Sequence, residues 1–144
     1  VLLLCRQRRL ACEALSLRET ELLYSVYIAA ALSLFLVALS LNISRLRLIH
    51  KISFGDGGIR DLTVAIRAHG NSLEQSLLFI LLLYFIEANG YAGVRTVLAL
   101  GSMFLFARFV YCAALFKRAL PLRQAAHVLT MLLQIATAGI ILWH

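Results

Sequence analysis

The chain has 144 residues, of which 62% are hydrophobic and 15% charged, and its mean hydropathy is +0.88. A soluble domain is about half apolar and about a quarter charged, so a water-soluble globule is excluded and the apolar excess has to face lipid. The net charge of +7 comes from cations gathered at the ends of apolar runs, a placement that suits anionic headgroups and membrane topology rather than nucleic acid.

The first 21 residues read as an N-terminal extension outside the membrane domain. Val1 to Leu4 precede Arg6, so the charge follows the apolar stretch and a signal peptide is not indicated. Cys5, Cys12 and Cys112 form no CxxC, which leaves no disulfide framework and no metal signature. From Leu22 to Ile43 the chain runs without a charge, long enough to cross a bilayer. This predicts a first span over 22–46. The connector that follows holds Arg45, Arg47, Lys51 and the turn Gly55-Asp56-Gly57-Gly58. It lacks the Lys-Ser/Thr ending of a phosphate-binding loop and reads as a plain turn.

Asp61 is the expected N-cap of a second span over 62–87. Asn89-Gly90 marks a turn, and a third span covers 95–116, interrupted by Arg108. The basic connector Lys117 to Pro121 leads to a fourth span over 122–143, where Pro121 suits a first helical turn and Trp143 an interface. Backbone groups in lipid must be satisfied internally, so these runs are helices. The prediction is an all-α, membrane-spanning antiparallel four-helix bundle. Two of the three connectors between spans are basic, which places them in the cytoplasm.

Polar residues inside such spans call for an explanation. At about 100° per residue, Arg67, Asn71 and Glu74 fall within about 60° of one another on the second span. Two readings stand: a ligand-holding wall, or a structural Arg–Glu bridge that Arg108 reinforces. His69 points roughly opposite. Arg108 has Tyr111 one turn on, with Cys112 beside it. The fourth span carries Arg123, His127, Thr130, Gln134 and Thr137 within about 80°. The last three read as polar glue between helices, whereas Arg123 and His127 are placed for a ligand. Several arginines against one carboxylate suit an anionic ligand or an ionising thiol. There is no Ser-His-Asp set, no HExxH and no metal cluster in the sequence.

The stretch Ala65 to Glu74 contains Arg67-x-His69-x-Asn71-x-x-Glu74, and it resembles the second-span hallmark of the MAPEG family, the membrane-associated proteins of eicosanoid and glutathione metabolism. The resemblance extends over about 22–143. The segments Ser53 to Gly58, Ala107 to Tyr111 and Pro121-Leu122-Arg123 are similar to family segments too, the first of them to its bacterial branch. It implies a homotrimer in a bacterial inner membrane, with glutathione as thiol co-substrate held between subunits and a hydrophobic electrophile supplied from the lipid. Arg67, Asn71 and Glu74 would grip glutathione, with Arg108 and Tyr111 completing the pocket. His127 and the motif's His69 belong to the same set. Arg123 matches the arginine that stabilises the thiolate and is the expected catalytic residue. Arg45 or Arg47 resembles a further pocket arginine. Leu115 departs from a tyrosine found in the eukaryotic transferases, which points to a general, bacterial-type transferase, with peroxidase as a side activity. The alternative is a non-catalytic, lipid-binding membrane module with a buried Arg–Glu network.

Overall fold

In a computed structural model the protein is described over residues 23–144; the expected extension, residues 1–21, lies outside the described residues. Four helices account for nearly all of the rest: α1 (Tyr24–His50), α2 (Arg60–Ala88), α3 (Val94–Phe116) and α4 (Leu120–Trp143). Each is long and apolar enough to cross a membrane. Hydropathy places all four. It misplaces several boundaries, among them the end of the first span and the starts of the second and the fourth, the last beginning at Leu120 rather than 122. Helix α1 runs four residues beyond the expected end at 46, because Arg45 and Arg47 reach off its last turns without breaking it. It stops where Lys51 enters the left-handed region at φ 54°, and Ile52 N–H returns to the Arg47 carbonyl at 3.0 Å.

Helix α2 begins at Arg60 after Ile59, with no side-chain cap. Asp61 is therefore not the N-cap. It lies in the first turn, and its carboxylate meets Arg118 of the α3–α4 connector at 3.4 Å. The local fastening falls to Asp56 instead, which accepts from Gly58 N–H at 3.1 Å and from the Thr63 hydroxyl at 2.8 Å. Positive φ at Gly55, Gly57 and Gly58 shapes this turn, as glycine readily allows.

These bonds, the Gly58 amide first and Thr63 second, hold the Asp56 carboxyl below the usual aspartate range. A lowered folded pKa means that the turn's contribution is complete above the usual range and lost as pH falls through the lowered value. An NMR titration of the Asp56 carboxyl is expected to give a midpoint below that of an ordinary aspartate. In Thr63→Val the midpoint is expected to move up. An unperturbed midpoint in the native chain contradicts this account of the turn.

Helix α2, like α3, packs against the other three; among the described residues α1 and α4 do not meet. Its buried face is Leu62, Ala65, Ala68, Ser72, Ser76, Phe79, Leu83 and Ile86, a stripe of helical period. Phe79 and Phe104 stack with centroids 3.8 Å apart, among Leu32, Val97 and Leu133. Gly101 lets α3 approach Ile28 of α1 so closely that a Cβ would sit 2.8 Å from Ile28 Cγ1. The outer faces expose Leu34, Leu41, Leu77, Phe106 and Ile135, as lipid-facing helices should.

Two polar devices hold helices together. At the far end of α2, Glu87 accepts from the backbone N–H groups of Tyr24 and Ser25, at 2.8 and 2.7 Å. It caps α1 from another helix, since α1 has no side-chain cap of its own. Within the bundle, Gln134 of α4 donates to the Gln75 carbonyl of α2 at 2.9 Å. Thr130 and Thr137 are fully buried and donate to carbonyls one turn back. Gln134 and Thr130 join helices as glue; Thr137 bonds only its own helix.

Candidate functional site

A cleft of ≈ 270 Å³ opens toward the basic-loop end of the bundle. Helix α2 gives it Arg67 and Asn71, α3 gives Tyr111 and Leu115, and α4 gives Arg123, Gln124 and His127. Three helices thus bring together five of the residues singled out in the sequence. The lining carries two guanidinium groups and, among the described residues, no carboxylate. Its remaining polar groups, a phenol, two amides and an imidazole, all have N–H or O–H hydrogens to give. His127 Nδ1 is buried without a partner among the described residues, and its ring lies 6.0 Å from that of Tyr111.

Arg123 and Leu115 also line a second cleft of ≈ 210 Å³, where Arg60 and Arg118 join them. The two clefts therefore adjoin at Arg123. Four arginines surround the pair, an arrangement suited to a ligand with more than one negative group. Leu115 stands at the shared wall and is largely buried, so the position that departs from the eukaryotic pattern borders both clefts without contributing a hydroxyl.

Arg108 takes a different place. It is fully buried and stands behind the cleft, where its Nη2 donates to Asn71 Oδ1 at 2.8 Å and to Ser72 Oγ at 3.1 Å. Its Nη1 reaches Thr130 Oγ1 at 3.5 Å, its Cζ lies 4.4 Å from the centre of the Tyr111 ring, and its Nε has no partner among the described residues. Ser72 passes the network on to Cys112 Sγ at 3.3 Å.

Glu74 and Arg67 are exposed on the protomer. Among the described residues the one ion pair is Arg118–Asp61, so the buried Arg–Glu network of the alternative reading is not formed. Helix geometry gives the reason. Counted from Ser72 at the middle of the buried face, Asn71 lies about 100° round, whereas Arg67 and Glu74 lie about 140° and 160° round. Only Asn71 is near enough to the core to meet Arg108. His69 is half-buried and lies away from the cleft. Arg47 donates to the Ser53 carbonyl at 2.9 Å and holds the connector. Arg45 lines a further cleft of ≈ 460 Å³ with Asn42, Asp61 and Arg118, which shares Arg118 with the second Arg123 cleft. Neither reaches the Arg67 cleft within the protomer.

Residues 25–143 match the family model described as MAPEG family. The chain belongs to the MAPEG family. The match covers all four helices nearly end to end and includes every residue of both Arg123 clefts. Curated relatives include the inner membrane protein YecN of Escherichia coli K12 and its counterpart in the O6:H1 strain CFT073. Each is 39% identical over 66 residues, which are 46% of this chain and 50% of the relative. The chain therefore spans about half the length of the curated relatives it matches.

Two contributors to this site or its support, and one clamp at the other end of the bundle, escaped sequence reasoning. Ser72 follows Asn71 in the motif, and its signal was the small-residue stripe at helical spacing that it shares with Ala68 and Ser76. Gln124 adjoins Arg123 but lies about 100° round the helix from it, outside the polar stripe of the fourth span. Glu87 closes an apolar run and looked like an ordinary helix end.

Proposed function

We propose that this MAPEG protein is a membrane-bound transferase that joins the thiolate of glutathione, or of another small thiol, to a hydrophobic electrophile delivered from the bilayer. The observation that carries this reading is the cleft's excess of positive charge, with Arg67 and Arg123 on facing helices and, among the described residues, no carboxylate in the lining. A guanidinium beside a sulfur favours the thiolate over the thiol. Arg123, shared by both clefts, is the residue best placed to hold that charge; Arg67, Asn71, Tyr111 and His127 would hold the rest of the thiol compound. The sulfur then forms its bond to the electrophilic carbon as the leaving group departs, and Arg123 releases its charge partner.

The same reading includes an assembly. Arg67 and Glu74 project from the protomer within a membrane-crossing helix, and charged groups in such segments face protein or a wet cavity rather than lipid. A homotrimer of antiparallel bundles, with Glu74 and Arg45 completing a neighbour's site, accommodates them. Glu74 would then meet the ammonium group of glutathione. The likeness to an inner membrane protein supports the same location, with the basic loops on the cytoplasmic side. Thermal stabilisation of the solubilised full chain by glutathione, followed by conjugation of a generic aryl electrophile, tests the proposal.

A further inference from the structure

We infer that Arg108 is a positioning residue of this site, which holds Asn71 by its amide oxygen so that the cleft is offered the amide's two N–H donors. The inference rests on the thiol-site reading above. The orientation follows from chemistry. An arginine side chain only donates, so the Asn71 atom 2.8 Å from Arg108 Nη2 is the oxygen. The amide nitrogen then has no partner among the described residues, and Asn71 lines the cleft. Were Arg108 absent, the amide would be free to turn over and present an acceptor.

Arg108 is well held for this task. It is fully buried, its Nη2 is shared between Asn71 and Ser72, and the ring of Tyr111 lies 4.4 Å away. Tyr111 also lines the cleft, so one buried cation braces two of its walls from behind. The consequence is a rule of specificity: the part of the ligand lying against Asn71 is an acceptor, a carboxylate or amide carbonyl, and not its ammonium group.

Asn71→Asp separates this role from a merely structural one. The replacement has the same size. Its carboxylate pairs with Arg108, so the fold is kept, but the cleft loses both donors and gains a negative charge. The full-length variant is expected to melt at or above the native temperature while its Kd for glutathione rises about tenfold or more, the loss of hydrogen bonds to a charged group. In an Arg108→Gln background the aspartate is expected to lower the melting temperature, because its half-buried charge then has no cationic partner. Glutathione binding by Asn71→Asp within twofold of the native protein would overturn the inference. So would an equal drop in melting temperature with and without Arg108. If the native protein itself fails to bind glutathione, the thiol-site reading falls, and the melting comparison alone decides whether Arg108 holds the Asn71 oxygen.

Discussion

Replacing Arg123 by leucine is expected to lower the rate of glutathione conjugation by about a hundredfold, the cost of removing one donor from a developing charge in a water-poor site, about 3 kcal/mol. The physical origin is thiolate stabilisation. At neutral pH a free thiol is mostly protonated, and the cleft raises the ionised fraction only as far as its fixed positive charge allows. Arg67 remains in the variant, so glutathione is still attracted, but the guanidinium common to both clefts is gone. Thiolate absorbance of the glutathione complex near neutral pH is expected to fall with the rate. The melting temperature is expected to hold, because Arg123 is half-exposed and makes no side-chain hydrogen bond within the protomer among the described residues. Unchanged thiolate absorbance in Arg123→Leu would remove Arg123 from the chemistry.

Glu87→Ala is expected to cost about 2 kcal/mol of stability, within the range for losing a helix cap or a charge-assisted hydrogen bond. Both carboxylate oxygens are engaged, one on Tyr24 N–H and one on Ser25 N–H. The first turn of a helix has N–H groups with no partner of their own, and a negative charge there also meets the positive end of the helix dipole. Since α1 lacks contact with α4, its hold on the bundle depends on α2 and α3, and Glu87 fixes its outer end. Glu87→Gln keeps one acceptor oxygen and is expected to lose about half as much. Unfolding of the solubilised protein measures both, and an alanine variant as stable as the native chain contradicts the clamp.

The contrast between these residues shows what the sequence reveals and what it hides. The four spans are legible because a helix surrounded by lipid must be apolar on most of its surface, and hydropathy reads that directly. Arg67, Asn71, Tyr111, Arg123 and His127 are legible as polar exceptions within those spans, and they do meet at one cleft. Their division of labour is not legible. Helical spacing puts Arg67, Asn71 and Glu74 on one face, yet that face straddles the edge of the packed surface, and an offset of about 40° separates a core contact from an outward one. Which way α2 turns follows from Ala68 and Ser72, whose small side chains pack against Cys112 of α3. Arg108 looked like a pocket residue for the same reason: its charge is visible in the sequence, whereas its complete burial depends on Asn71, Ser72, Thr130 and Tyr111 converging from three helices. Glu87 was invisible because its partners are backbone groups more than sixty residues away. That Arg47 holds the connector depends on the Ser53 carbonyl, which only the folded connector supplies.

The central claim is that the arginine-rich cleft binds a small anionic thiol compound. The most direct measurement is the melting temperature of the solubilised full chain as glutathione is raised to millimolar concentration. Binding to the folded state stabilises by RT ln(1 + [L]/Kd), about 2.7 kcal/mol at a hundredfold excess over Kd. The account predicts a saturable rise that follows this dependence and is diminished in Arg67→Leu. A melting temperature that stays constant across the titration would contradict it.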